Sequence, residues 1–389
     1  MSHGRPSTQD VRVYFAEEVD QVRWPETPAA DWVQKIVVPM MRKSSHALVA
    51  NVRTRMGLIQ LGELLLPFSV NEEEYDNSYV TSTYAMVLYA EEEIKRHLSR
   101  GVGLLLRPLL EGLKRWFRLA QVNKVVILNN ALISTNLIEP IAPSQMALLQ
   151  KALLERFPQH ALLLRSLNPT LNGECLRALQ RQRWTLVLSR SIYLIDSEKV
   201  LADRRRMRRC LRDDEKLFSQ EGVEVVPHEE LLAEDLPRIK RLYDQLYLEK
   251  YSQLNPQFTL AFFQEAWSSR SFTLTALRYH GELVGIVGWY SRGRAMTAPI
   301  FGYDTSLPQD LGLYRMLTFL TLQHAQETKT YYHLSAGAAS FKRNRGATQE
   351  LEYTAVAMQH LPLRRRLPWL CLKWVLNSIG KRIVVKKQL

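Results

Sequence analysis

Tyr331, Tyr332 and Leu334 form an apolar, aromatic run that breaks at Ser335, Ala336, Gly337 and Ala338 and hands over to Lys342, Arg343 and Arg345, closed by Gly346. The run reads as a strand. Small residues at its end let another molecule approach the backbone closely. Fixed positive charge directly after them suits a thioester or a phosphate-bearing ligand. In a strand, Tyr331, His333 and Ser335 share one face, so two hydrogen-bonding side chains would stand together at the break. No Ser-His-Asp order accompanies them, and covalent catalysis has little support.

The elements that must position this stretch are legible around it. Met296 to Tyr303 reads as a strand ending at Asp304, and a loop with Pro308 and Gly312 opens a helix over Leu313 to Thr328. Upstream, Phe272 to Tyr279 and Leu283 to Tyr290 flank His280-Gly281, a hairpin signal. Leu231 to Tyr251 and Phe258 to Trp267 read as helices, and Glu198 to Glu221 as a long basic helix stopped by Gly222. Leu351 to Met358 is a last strand. In the first half, His46 to Thr54 and Met56 to Leu66 read as β-rich runs around a turn. Tyr79 to Leu88 and Lys124 to Leu128 read as strands, as do His160 to Arg165, Trp184 to Leu188 and Ser191 to Ile195. Helices are expected over residues 89–101, 104–119, 143–157 and 173–182. Polar clusters stand at Glu72, Glu73, Glu74, Asp76 and Asn77, at Asn129, Asn130, Ser134, Thr135 and Asn136, and at Arg165, Ser166 and Asn168. The first suits the positive charge of an amine or a solvated turn. The second suits a site wall or a tight polar turn, and the third is similar.

At 389 residues the chain suits two domains. We expect a polar arm over residues 1–30, one unit over 31–196, a second over 197–360, and a basic tail over 361–389. With 46% hydrophobic and 23% charged residues, the composition is that of a soluble globular protein. Cys175, Cys210 and Cys371 are far apart, which argues for a reducing compartment and makes no metal-ligand spacing. No secretory h-region or spanning apolar run is visible. Net charge is +13. It concentrates in six Arg between Asp203 and Arg212 and in eight Lys or Arg, with no acid, from Leu361 onward.

The basic helix Arg204-Arg-Arg-Met-Arg-Arg209, the segment Leu246-Tyr-Leu-Glu-Lys-Tyr-Ser252, the hairpin Leu277 to Gly285, the strand end Phe301-Gly-Tyr-Asp304, and Ser335-Ala-Gly337 with Phe341-Lys342 and Arg345-Gly346 occur in a definite order. In that order residues 198–360 resemble GNAT-type acyltransferases, in the branch of the FemAB-like and CelD-like proteins. The resemblance implies an α/β (α+β) fold of tandem GNAT-like domains, each a mixed, mostly antiparallel sheet flanked by helices, with the first half a diverged copy. It implies an N-acyltransferase in which an amine directly attacks a thioester or aminoacyl ester. Lys342 would stabilise the oxyanion, Asp304 would orient or deprotonate the amine, and His333 and Ser335 would complete the catalytic set. Tyr303, Gln309, Gly312, Gly337 and Arg345 would hold the donor, an acyl-CoA or an acyl carrier protein thioester, with no metal. Tyr314 stands where that family has a small residue, which points to a carrier protein or an aminoacyl-tRNA as donor.

Acceptors implied are an amine-bearing small molecule or lipid. A second hypothesis is a catalytically silent GNAT-like protein that binds an acylated carrier or lipid. The Arg stripe has no helix-turn-helix, zinc or RNA-binding signature, so DNA is not expected as a partner. In the tail, Arg366, Lys373, Asn377, Gly380 and Lys381 share a helical face, and Trp369, Leu372, Val375, Leu376 and Ile379 crowd the rest. That pattern suits either an anionic membrane surface or docking on the protein. The expected location is cytoplasmic, at the inner face of the membrane if the tail binds it.

Overall fold

The computed structural model describes residues 11–97, 100–199 and 205–380. The first half runs β1 (Val11–Tyr14), α1 (Pro28–Lys43), α2 (Ser45–Leu48), β2 (Arg55–Leu61), β3 (Leu64–Asn71), α3 (Ala85–His97) and α4 (Arg100–Leu119). It continues with β4 (Val125–Leu128), α5 (Pro143–Arg156), β5 (Ala161–Leu167), α6 (Pro169–Arg181) and β6 (Thr185–Asp196). The second half runs α7 (Arg205–Glu215), β7 (Val223–Pro227), α8 (Leu236–Asp244), α9 (Leu260–Ser268), β8 (Thr273–Tyr279), β9 (Glu282–Arg292) and β10 (Ala295–Tyr303). It ends with α10 (Leu313–Glu327), β11 (Tyr331–His333), α11 (Ala339–Asn344), β12 (Thr348–Ala357) and α12 (Leu363–Trp374).

Among the described residues all the strands join one 12-stranded sheet in the order β1-β2-β3-β4-β5-β12-β6-β11-β10-β9-β8-β7. The two halves of this order mirror each other pair by pair. The pairs β4–β5 and β10–β11 are parallel, and every other pair is antiparallel. Val125 faces Ala161 in the first half and Ala295 faces Tyr331 in the second, at the same sequence separation. Each half is therefore a copy of one plan, and the last strand of each has crossed into the other. β12 lies against β5 of the first half, and β6 lies against β11 of the second. The pseudo-two-fold axis passes between β6 and β12, where Arg190 faces Glu352. Among the described residues the first half has two helices, α3 and α4, between β3 and β4, where the second half turns directly from β9 to β10.

Packing follows from the apolar faces. Val33, Ile36, Val37 and Met40 recur at helical spacing in α1 and join Ile239 and Leu242 of α8 and Phe262 and Phe263 of α9 in one cluster spanning both halves. Trp32 ties the halves directly. Its Nε1 donates to Ser271 O at 2.8 Å, and its ring stacks on Tyr290 at 4.4 Å. α5 and α6 cover one face of the first half, and α10 covers β9–β11 of the second.

Several expectations are corrected. Residues 11–22, expected in a polar arm, include an edge strand and the buried Tyr14, Phe15, Val19 and Val22. With that edge taken, His46 to Thr54 is no strand. Ser45 Oγ accepts from Thr54 N, closing α2 and the following turn on themselves. The hairpin falls later, at Gly62 with φ +60°. Residues 79–88 form no strand: 79–84 are turns and 85–88 begin α3, where Ser82 Oγ accepts from Ala85 N and starts the helix. The two strands read at 184–188 and 191–195 are one strand, bulged at Ser189, where Leu188 and Arg190 face consecutive residues of β12. The cationic loop is largely the short helix α11. Arg205 to Glu215 is helical and ends well before Gly222, while residues 200–204 of the expected helix lie outside the described residues.

Gly302 sits in β10 where α8 crosses. A Cβ there would lie 2.6 Å from the backbone of Leu242 and Tyr243. Gly302→Ala is expected to lower stability by about 1–3 kcal/mol through overpacking, read as a reduced urea midpoint at unchanged slope.

Candidate active site

β10 and β11 run parallel only from Ala295–Tyr331 to Thr297–His333. β11 then ends, while β10 continues to Tyr303 after a register shift against β9. Thr297 Oγ1 donates to His333 O at 3.0 Å and pins the point of divergence. Beyond it opens a cleft of about 420 Å³, lined among others by Thr297, Phe301, Tyr314, Ser335, Gly337 and Lys342. Ser335, Gly337 and Ala338 all have positive φ, which turns the chain sharply out of the strand. Ser335 is thereby removed from the alternation expected with His333. Its hydroxyl makes no hydrogen bond among the described residues. Ala336, Gly337 and Ala338 are exposed to the cleft, and their N–H groups make none either.

Lys342 is 3% exposed. Its Nζ donates to Leu334 O and Ala336 O, both at 2.7 Å, and lies 3.4 Å from Ser335 O. The ammonium therefore holds the small-residue turn from beneath. It reaches the cleft as charge, and a direct bond to an oxyanion requires it to release a carbonyl. Burial, and then the charge of Arg190, push its pKa down to about 7.

His333 is buried. Its Nδ1 accepts from Ser335 N at 3.1 Å, and Nε2 lies 3.5 Å from Glu352 Oε2. Burial lowers its pKa against the pull of Glu352, so the ring is neutral and orients the turn. Arg190 spans Glu352 with two bonds, Nε to Oε1 at 2.8 Å and Nη2 to Oε2 at 3.3 Å, and also reaches Thr135 Oγ1 at 2.9 Å. Burial alone would raise the Glu352 pKa, but Arg190 and His333 outweigh it and hold it down to about 2. The Asn129 to Asn136 cluster is a tight polar turn that also supplies this wall. Asn136 Oδ1 accepts from Ala131 N, and Ser134 O accepts from Arg190.

A smaller cavity of about 280 Å³ gathers Tyr303, Asp304, Gln309 and Gly312 at the start of α10. Tyr314 lines both cavities. Its ring packs against Phe301, Tyr303 and Phe341 at centroid distances of 5.3, 6.2 and 4.7 Å. The two groups of expected residues are thus separated by an aromatic partition.

Two roles are corrected. Asp304 is not placed to take a proton from an amine. Its Oδ2 accepts from Arg238 at 2.6 Å and its Oδ1 from Ser306 N at 3.0 Å. Although burial favours protonation, Ser306 and Arg238 hold the carboxylate below its usual range. It ends β10 and starts the loop. Arg345 is not available to a donor either. It is buried, bonded twice to Asp214 at 2.6 and 2.7 Å, and stacked on Phe341 at 3.5 Å. Asp214 also accepts from Arg315 at 2.6 Å, so one buried carboxylate ties α7, α10 and the end of α11 together. Gly312 has φ +76°, and a Cβ there would meet Leu217 at 2.5 Å, so backbone shape and packing both require it. The acidic loop is structural at Glu72, which pairs with Lys124 at 2.9 Å and His160 at 2.8 Å. Among the described residues, no group of three or more His, Cys, Asp or Glu is arranged to hold a metal.

Arg190, Glu352, Tyr79 and Tyr89 were not marked as site residues in the sequence, whereas Tyr247 and Tyr251, which also line the cleft, lie in the marked segment 246–252. The one sign of the first four in the sequence is Ser189-Arg190, a polar interruption between apolar strand residues. The Glu352 carboxylate stays ionised to about pH 2 in the folded chain, against an unperturbed 4.5. Its contribution is complete above pH 4.5 and is lost as pH falls from there towards 2. Glu352→Gln is expected to cost about 3 kcal/mol at neutral pH. In urea titrations the gap to the unmodified protein narrows through that acid window.

Residues 203–343 match the acetyltransferase (GNAT) domain family. No curated protein matches the chain. Among solved structures, L-PGS from Bacillus licheniformis is 16% identical with a TM-score of 0.42, over 59% of this chain and 75% of that one. FemX is 10% identical with a TM-score of 0.42, over 59% and 79%. A tandem GNAT protein from the clavulanic acid biosynthesis pathway is 8% identical with a TM-score of 0.38, over 89% and 98%. These likenesses are distant. The family match lies within the second half, and the first half repeats its strand plan, so the architecture is a tandem of GNAT-like units.

Proposed function

We propose that the protein is an N-acyltransferase that moves an acyl or aminoacyl group from a thioester or aminoacyl ester to an amine. The observation that carries this is the divergence of β10 and β11 over a turn of small residues with unbonded N–H groups, backed by the buried cation Lys342. A carbonyl oxygen in this cleft would meet donors and positive charge where negative charge develops. The amine nitrogen attacks the carbonyl carbon, a C–N bond forms, and the C–S or C–O bond breaks. The amine proton leaves with the departing thiol or hydroxyl. Lys342 acts here as a positioning residue, and Ser335 Oγ is one side-chain hydroxyl on the cleft wall.

Tyr314 favours a particular kind of donor. In a GNAT-like arrangement an acyl-CoA would place its pyrophosphate at the Gln309–Gly312 loop and its thioester in the splay. Here the ring stands between the two cavities. A carrier-protein thioester or an aminoacyl-tRNA that enters from the cleft side does not need that passage. A thermal-shift screen with acetyl-CoA, a long-chain acyl-CoA, an acyl carrier protein thioester and aminoacyl-tRNA tests this. One of the last two is expected to raise the melting temperature, and Tyr314→Ala is expected to admit acyl-CoA. With the active donor, Lys342→Ala is expected to lower turnover by about 100-fold. If no donor shifts the melting point, the transferase proposal fails. If a donor binds and no amine is ever acylated, the silent binding protein is the better account.

A membrane surface is the proposed site of action. α12 docks on the body through buried Trp369, and Asn377 bonds to the backbone of Leu186 and Leu188. Leu363, Leu367, Leu370 and Trp374, one helical stripe, remain exposed, Trp374 at 65%, beside exposed Arg364 and Lys373. Residues 381–389 lie outside the described residues. Among those described, no helix is long and apolar enough to cross a membrane. An apolar stripe with flanking cations suits an anionic interface. Leu367→Glu with Trp374→Glu is expected to abolish co-sedimentation with phosphatidylglycerol vesicles at an unchanged melting temperature. Equal sedimentation of both proteins overturns the membrane assignment.

A further inference from the structure

The cleft beyond the β10–β11 divergence continues into the first half. A second cavity, also of about 420 Å³, adjoins it, and Tyr79, Tyr89, Arg190 and Asn255 line both. This second space lies against β4, β5 and β6, with Trp369 of α12 in its wall. The pseudo-two-fold axis relates its parallel pair, β4–β5, to the β10–β11 pair of the donor cleft. Nothing in the chemistry so far uses it.

One wall of it is apolar and buried. Ile127, Leu163, Val187 and Trp369 belong to one buried cluster and share the lining with Met86 and Leu188, while Thr81, Ser82, Thr83 and Thr354 add polar groups. Its size falls in the range of small-molecule sites, which bury an apolar body and fix it with a few polar groups.

Arg165 supplies the polar group. It lies two residues beyond Leu163 in β5, so both side chains emerge on the same sheet face. Arg165 Nη1 donates to Val80 O at 2.8 Å, and the guanidinium stands 5.7 Å from the Tyr79 ring centroid. Among the described residues no carboxylate lies within ion-pair distance of it, whereas neighbouring Arg190 is paired with Glu352 through Nε and Nη2. Partial burial lowers the pKa of Arg165. A half-buried guanidinium on the cavity wall with one neutral acceptor retains donors for a ligand anion, and its planar fork fits a carboxylate or phosphate.

Building on the transferase reading, we propose that this cavity is the acceptor site, and that the acceptor is an amphiphile whose apolar chain lies among Ile127, Leu163, Val187 and Trp369 while its carboxylate or phosphate is held by Arg165. The amine then lies towards Tyr79 and Tyr89, where the two cavities meet. Donor and acceptor thus enter from opposite halves of the molecule.

The test uses the full chain without any donor. Decanoate, decyl phosphate and decanol are titrated by calorimetry, so the two anion types are distinguished from each other and from the chain alone. At least one anion is expected to bind ten-fold or more tightly than decanol. Arg165→Met is expected to remove that gap and leave decanol binding unchanged. Val187→Trp, which fills the cavity, is expected to abolish binding of all three. Melting curves accompany both variants, and either one alone decides the matter if the other does not fold. Equal affinity for anions and decanol, or anion binding untouched by both folded variants, overturns the assignment. The result is separable from the transferase reading. A chain that binds decanoate through Arg165 but acylates no amine contradicts that reading alone. A chain that acylates amines with no anion preference contradicts the acceptor assignment alone.

Discussion

The exchange of β6 and β12 is the constraint from which the rest of the molecule follows. Each half supplies the strand that pairs with the penultimate strand of the other, and the two exchanged strands pair along their length at the centre. Backbone hydrogen bonds at the middle of a sheet must be satisfied. Neither half can satisfy them alone. The parallel pairs on either side of the exchange are held at a fixed distance by it, and so are the two cavities that open beside them.

At the centre of that exchange stands a buried ion pair. Arg190 and Glu352 face each other across β6 and β12, and His333 and Lys342 stand close by. A buried pair of this kind adds little net stability over an apolar replacement, because desolvation offsets much of the attraction. Its positional effect is larger. It fixes the orientation of the His333 ring, which holds Ser335 N, while its positive member lowers the proton affinity of Lys342. The charge environment of the cleft is therefore set by residues from both halves.

The second half was largely legible in the sequence because its signals are local. The His280-Gly281 turn, the Gly312 start of α10 and the aromatic strand at Tyr331 each declare themselves within a few residues. The exchange was not legible. The pairing of Arg190 with Glu352 joins residues far apart in the chain, and strand periodicity carries no information about which strand lies next door. The same limit explains the site. The types of Lys342, Asp304 and Arg345 drew attention to neighbouring parts of the second half. Whether a cation meets solvent, a carbonyl or a carboxylate depends on Asp214, Arg238 and the Leu334–Ala336 carbonyls, which the local pattern does not specify. His46 to Thr54 failed for a related reason, since an edge strand from residues 11–14 had already taken the place a further strand would fill.

The exchanged strands also bear on how the chain is made. As the polypeptide leaves the ribosome, β5 emerges with one edge bare, and its partner β12 follows only after nearly the whole second half has been translated. An apolar strand with an unpaired edge is a template for pairing with other chains, and pairing over such a sequence distance is slow. The first half must therefore wait, collapsed but incomplete, during synthesis of the second. A truncated product that stops before Thr348 would present that open edge permanently. For this protein the vulnerable period of folding is set by translation, and the final strand closes both halves at once.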